Sequence, residues 1–340
     1  MAEGERGALS QVRSDKQSIQ VKPGGSADLI VGRWYFISLQ LKGKWMTISS
    51  AERKIRAGLP FIRFMQAFIP LSVARFFLKQ GMARVQLGEG VNRKAISADG
   101  VPCEWLIPQD SLTDKVLLYL HGGGFVYGLT PPHLQMGAYL ARKMNMRVLM
   151  VDYRLAPDCP FPAALDDSVT SYRWLLRQEF STQNIVIAGD SAGGNLTITM
   201  MMKLRDSGDA LPVAAACLSP VTDFTARTNQ SKEFKDPLLP PKATKFYTQS
   251  YVGRNNANNP LISPVFGNMS GLPPLLVHAG EDEILRDDAV RIVNLAKSAG
   301  VDARLEIYPR MWHVWQLNLS LPQAIQSLDD VSHFFKAHFE

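Results

Sequence analysis

Cysteine is scarce in this chain, with three among 340 residues, and Cys103, Cys159 and Cys217 show neither CxxC nor Cys/His spacing. So odd and sparse a set argues against a disulfide framework and against a zinc site, and it predicts a reducing, cytoplasmic setting. Long apolar runs are also missing. No stretch approaches the roughly 18 residues that a membrane-spanning helix needs, and no early segment combines a basic start, an apolar centre and a small-residue cleavage site. Secretion and stable membrane insertion are therefore not expected. Internal repeats, low-complexity tracts and a GxxxxGK[ST] phosphate loop are absent as well.

Charge is unevenly spread along the chain but forms no block of one sign. Residues 1–100 hold 16 Lys/Arg against 7 Asp/Glu, and the remainder holds 21 against 24. The gradient admits contact with an anionic surface, but the basic residues of the first part stand singly among apolar ones and form no block, so a solvated basic face is the preferred reading and a nucleic-acid partner is not expected.

What is present is a large hydrophobic fraction, 46%, and a change of texture near residue 85. Beyond it, apolar runs at 116–120, 146–153, 184–189, 213–220, 273–280 and 303–309 alternate with helix-like stretches such as "ALDDSVTSYRWLLRQ" and "DDAVRIVNLAKSAG". Runs apolar at successive positions suit strands covered on both faces, and their alternation with helices predicts an α/β fold with a mostly parallel central sheet.

The run ending at Gly189 enters "GDSAGGN", placing Ser191 in a GxSxG sequence at a strand-to-helix turn. Such a turn holds a serine in a strained conformation that exposes its Oγ, and small neighbours prevent collision with nearby chain. A nucleophilic serine needs a base and fixed donors for an oxyanion. "HGGGFVYG" at 121–128 follows a strand directly and supplies the donors: Gly122, Gly123 and the N–H of Ala192 are the candidate oxyanion hole, with His121 read as structural. The order serine, acid, histidine asks for a base after the last strand. Of the six histidines, His313 in "PRMWHVWQL" meets that condition, while His333 and His338 fall in a terminal helix, His278 within a strand and His133 beside a Pro-Pro turn. Asp282, just after "PPLLVHAG", is the candidate acid, and Glu283 is the neighbour most able to replace it.

Together, "HGGGFVYG", "DYRLAPDCPFPAALDD", "GDSAGGN", "SPVTDF" and "DEILRDD…PRMWHVWQL" resemble the hormone-sensitive lipase family, the bacterial family IV esterases, over residues 85–340. The resemblance implies an α/β-hydrolase fold with a helical cap, a Ser191–Asp282–His313 triad and an oxyanion hole at Gly122 and Gly123. Asp158 departs from the glutamate more usual there, at a position read as structural; Asp152 and Asp223 are read as scaffold residues.

It also implies that residues 1–84 form a cap segment, completed by an insertion at about 225–262. "GLPFIRFMQAFIPLSVARFFLKQGM" (58–82) is dense in Phe and Met. Three readings of it stand, with the first preferred: an apolar lid lining an acyl pocket, ordinary packing or a homodimer contact, and interfacial contact with a membrane by a basic amphipathic helix. On the first, Phe61, Phe64, Met65 and Phe68, together with Tyr127, touch the substrate. The function so implied is a serine carboxylesterase acting on short- to medium-chain acyl esters through an acyl-enzyme, with no metal or organic cofactor and a small-molecule ester as its partner. Thioesterase, lactonase or amidase chemistry uses the same triad. A non-catalytic, receptor-like binding protein on this fold predicts a damaged triad.

Overall fold

The computed structural model describes residues 48–109, 111, 114–225 and 236–339. Among the described residues two helices come first, α1 (Ser50–Phe68) and α2 (Leu71–Ala83), followed by strands β1 (Val91–Ala98), β2 (Val101–Pro108) and β3 (Val116–Leu120). Then follow α3 (Pro131–Met144), β4 (Arg147–Val151), α4 (Ala163–Arg177), β5 (Ile185–Asp190), α5 (Ala192–Asp206) and β6 (Ala214–Leu218). The chain closes with α6 (Pro241–Val252), β7 (Leu275–Gly280), α7 (Arg286–Ser298), β8 (Ala303–Tyr308) and α8 (Pro322–His338).

The eight strands of the described residues form one sheet in the order β1-β2-β4-β3-β5-β6-β7-β8. From β4 to β8 the pairing is parallel, whereas β1–β2 and β2–β4 are antiparallel. The six apolar runs of the sequence are strands β3 to β8. Neighbouring residues of a central strand serve opposite faces: Leu118, Leu149 and Ile187 join one core, while Leu117, Val148 and Val186 join the other. Burial of each such side chain contributes about 1.5–3 kcal/mol, which explains why these strands read as continuous apolar runs rather than alternating ones.

The β1–β2 hairpin was not among the expected strands. β1 is mostly exposed and carries Arg93 and Lys94, so it forms no apolar run. Its signal is the Asp99–Gly100 pair, both at positive φ (50° and 91°), which closes a tight hairpin of the kind Asp-Gly favours.

α1 is capped by Ser49, whose Oγ accepts the Glu52 N–H at 3.0 Å. Its polarity is inverted. Glu52 and Leu59 are buried against the protein, whereas Phe61, Phe64 and Phe68 are 66%, 56% and 64% exposed. Among the described residues no helix is long and apolar enough to cross a membrane. Residues 1–47 of the expected cap segment, and residues 226–235 of the expected insertion, lie outside the described residues.

Candidate active site

β5 ends at Asp190, and Ser191 stands between it and α5 with φ 52° and ψ −112°. That conformation strains any residue with a Cβ, and here it turns the hydroxyl toward the loops at the carboxyl ends of the strands. The turn requires glycine nearby. A Cβ on Gly193 would lie inside the van der Waals envelope of the Leu120 and His121 carbonyl oxygens.

His313, on the loop after β8, points Nε2 at Ser191 Oγ at 2.9 Å. Its other nitrogen, Nδ1, faces Glu283 Oε2 at 3.2 Å. Both side chains are buried. Asp282, the expected acid, does not meet His313. Its backbone N–H donates to the Met311 carbonyl at 2.9 Å, and its half-exposed carboxylate pairs outward with Arg56 Nη2 at 2.8 Å. The glutamate is the carboxylate that turns inward, and its additional methylene spans the distance to the imidazole.

The electrostatics follow from this burial. Desolvation pushes the Glu283 carboxyl above its ordinary range, with the His313 hydrogen bond and charge acting in the opposite direction. For His313 desolvation opposes protonation, but the hydrogen bond and charge of Glu283, helped by Asp236 and Asp190, outweigh it and hold the imidazole above the usual histidine value. Asp236, unremarked in the sequence, fixes the acid's loop: its Oδ2 accepts the Ile284 N–H at 3.0 Å, and its Oδ1 accepts from Leu238 and Leu239.

The glycine loop is tied to the serine turn by Asp190. Its Oδ1 accepts from Gly122 N–H and from Tyr119 OH, both at 2.9 Å, while its Oδ2 lies 3.3 Å from His133 Nε2. Burial opposes ionisation of Asp190, but His133, Tyr119 and His121 outweigh it and hold the carboxyl below its usual range. The consequence for the expected oxyanion hole is a correction at Gly122, whose N–H is directed into this network. Gly123 and Gly124 are the glycines that line the cavity. Gly123 has φ 109°, and a Cβ there would press on the Tyr127 carbonyl oxygen. Ala192 is the first residue of α5, with its N–H next to the serine.

His121 and His278 are buried in structural places. His121 stacks on Tyr153 at 4.1 Å and is lowered by burial to about 3; His278, likewise lowered to about 3, lies 2.8 Å from Ser327 Oγ. Asp158 pairs with Arg75 of α2 at 2.6 Å, and Asp223 with Arg291 of α7 at 2.7 Å.

A cavity of about 730 Å³ opens over Ser191 and His313. Its apolar wall includes Leu59, Ile62 and Met65 of α1, Phe77 of α2, and Leu239 and Tyr247 of the segment leading into and through α6. Of the expected substrate-contacting residues, Met65 and Tyr127 line it; Phe61, Phe64 and Phe68 do not, because the helix turns that stripe toward solvent. Spacing of three and four places the phenylalanines on one face, but it cannot say which way that face points.

What orients α1 is a buried carboxylate. Glu52, fully buried, receives Arg56 Nε at 3.2 Å, Arg310 Nε at 3.3 Å and Gln323 Nε2 at 3.1 Å. Arg56 also lies over the Trp312 ring at 5.3 Å. The first helix is thereby joined to both loops that carry Glu283 and His313. A lone glutamate in an amphipathic stretch gives no sequence signal of this role.

A model of the alpha/beta hydrolase fold matches residues 117–317. The chain is 35% identical over 238 residues to an acetyl-hydrolase of Streptomyces hygroscopicus, covering 68% of this chain and 79% of that one. It is 34% identical over 249 residues to an esterase of Acinetobacter venetianus, covering 72% and 82%. Among solved structures, an esterase from the bacterial hormone-sensitive lipase family superimposes with a TM-score of 0.79 at 35% identity, covering 87% of this chain and 100% of that one. The match encloses Ser191, Glu283 and His313, the three residues that the fold brings together, and the chain belongs to the hormone-sensitive lipase family of α/β hydrolases.

Proposed function

We propose that this protein is a serine carboxylesterase that cleaves short- to medium-chain acyl esters through an acyl-enzyme. The observation that carries the reading is the continuous relay from Ser191 Oγ to His313 Nε2 at 2.9 Å and from His313 Nδ1 to Glu283 at 3.2 Å. In this reading Ser191 attacks the ester carbonyl while His313 takes its proton. Glu283 holds the Nδ1–H tautomer and stabilises the imidazolium. The N–H groups of Gly123, Gly124 and Ala192 receive the oxyanion, with Gly124 in the place first given to Gly122. His313 then protonates the leaving alcohol and activates the water that releases the acid.

The comparisons support ester hydrolysis, since the relatives bear the names acetyl-hydrolase and esterase. The apolar cavity supports an acyl chain as its occupant. α1, α2 and α6 act as the cap over the catalytic domain of residues 85–340, with α1 held by Glu52. The three cysteines, all free, support a reducing cytoplasmic setting.

The test is covalent. A fluorophosphonate ester should label the protein once, at Ser191, and Ser191→Ala should lose both the label and p-nitrophenyl butyrate hydrolysis while its melting curve is kept. Turnover by Ser191→Ala would remove the mechanism.

A further inference from the structure

The outward stripe of α1 needs its own explanation, because Phe61, Phe64 and Phe68 neither pack in the core nor line the cavity. Three large aromatic side chains on one face of a single helix, each more than half exposed, form a contiguous patch of the kind that marks a contact surface. Phe64 and Phe68 rest on each other with centroids 4.7 Å apart. On α2, Phe76 and Phe77 add 59% and 66% exposed rings, and on α6 Phe246 adds one at 41%.

The charges carried by the three helices are almost all of one sign, and the acids beside them, Asp158 and Asp282, are paired with Arg75 and Arg56. α1, α2 and α6 carry eight lysines and arginines and a single acid, Glu52, which is buried. Three of the basic residues, Arg56, Arg63 and Arg75, are half-buried and spent on protein partners, Arg56 on Glu52 and Asp282, Arg63 on the Leu239 carbonyl, and Arg75 on Asp158 and the Val126 carbonyl. The other five, Arg53, Lys54, Lys79, Lys242 and Lys245, are exposed and have no ion pair among the described residues. Lys242 stands over the Phe68 ring at 5.2 Å, so cation and aromatic share one surface. Phe77, 66% exposed, is also one of the residues that line the cavity, so the outer face of α2 and the cavity wall share this ring.

From this arrangement we infer that the outer face of α1, α2 and α6 docks the protein peripherally on an anionic phospholipid surface. Phenylalanines enter the boundary between headgroups and acyl chains, while the lysines meet lipid phosphates. The helices lie on the bilayer without crossing it, in keeping with their length and charge. A second copy of the chain fits less well, because a two-fold contact would set the same basic patch against itself. Docking in this orientation brings the Phe77 side of the cavity wall to the lipid boundary, where apolar esters concentrate. Binding rests on this surface alone and does not require the ester-hydrolase reading to hold.

The experiment is co-sedimentation of the full chain with vesicles of phosphatidylglycerol and phosphatidylcholine, and with vesicles of phosphatidylcholine alone, at low and high salt. The expected result is partition onto the mixed vesicles that weakens as salt is raised, since salt screens exposed charges. Phe61→Ser, Phe64→Ser and Phe68→Ser combined should lower that partition on the order of a hundredfold, from lost apolar burial. Lys242→Ser with Lys245→Ser should lower it roughly twenty-fivefold, at about fivefold for each cation near an anionic surface. Both variants should hydrolyse soluble p-nitrophenyl acetate within about twofold of the parent, as none of these side chains lines the cavity. Absence of parent binding, equal binding to phosphatidylcholine alone, or unchanged binding after the phenylalanine substitutions overturns the inference. So does a parent that is dimeric by light scattering, becomes monomeric in the phenylalanine variant and binds no vesicle, which would make the face a contact between copies. Should the triple variant fail to fold, the lysine variant and the salt dependence of the parent decide the matter.

Discussion

Replacing Glu283 by glutamine tests the site at the point where two adjacent carboxylates make opposite predictions. The substitution keeps size and burial but offers His313 Nδ1 an amide at the 3.2 Å contact. An amide NH₂ turned toward Nδ1 selects the tautomer with hydrogen on Nε2, which cannot accept the Ser191 proton, and no neighbouring charge then stabilises the imidazolium. Loss of the corresponding carboxylate in a serine triad lowers kcat by about 10⁴, equivalent to roughly 5.4 kcal/mol of barrier. We therefore expect Glu283→Gln to lower kcat by about 10³- to 10⁴-fold on p-nitrophenyl butyrate, with KM little changed.

Asp282→Asn removes only a half-exposed ion pair to Arg56. It should leave kcat within about threefold, because such pairs are worth about 0–1 kcal/mol. The pH profile supplies an independent readout. In the parent His313 titrates above the ordinary histidine value, chiefly against its own burial and because of Glu283, so the acidic limb of kcat/KM should lie above that value. In Glu283→Gln burial dominates, and the limb should move to lower pH. A thousandfold loss in Asp282→Asn, with Glu283→Gln near parental activity, would refute the reasoning.

Removing the buried carboxylate in Glu52→Ala takes that partner from Arg310 and leaves Arg56 with Asp282 alone; allowing for the partial exposure of both arginines, urea unfolding should show a loss of about 2–3 kcal/mol. Gly123→Ala must strain a φ of 109° and push on Tyr127, so kcat should fall about 10²-fold with KM preserved, as for loss of one oxyanion donor. Ile62→Ala with Met65→Ala should lower the octanoate-to-acetate ratio of kcat/KM by about tenfold, at roughly 0.8 kcal/mol per methylene left without contact, and a uniform loss across chain lengths would contradict the cavity assignment. His278, lowered by burial to about 3, stays neutral in the fold while its unfolded form takes a proton below about 6.5. Its contribution to stability is therefore present at neutral pH and is lost as pH falls from there toward 3. His278→Leu should flatten the slope of unfolding free energy between pH 5.5 and 4.5 by about 1.4 kcal/mol per unit.

The serine turn and the glycine loop were legible in the sequence because their requirements are local. A strained serine between glycines at the end of an apolar run, and three glycines after another, announce backbone conformations that few other residues tolerate. Strands β3 to β7 were legible for a related reason: burial on both faces favours an apolar residue at nearly every position, whereas edge strand β8 keeps Arg304 and Glu306 exposed. β1 escaped because one exposed edge strand leaves no such record, although Asp99–Gly100 signalled its turn.

Direction was the part that only tertiary structure decided. Two consecutive carboxylates are equivalent in a sequence, and it is the Asp282 N–H bond to Met311, with Arg56 waiting outside, that sends one outward while Glu283 turns in. The N–H of Gly122 is claimed by Asp190, 68 residues away. The phenylalanine stripe of α1 has a helical period whichever way it faces, and buried Glu52 sets its rotation by binding Arg310 and Gln323 from distant segments. Local backbone chemistry is written residue by residue, whereas the partner that orients a side chain is chosen by whatever the fold brings beside it.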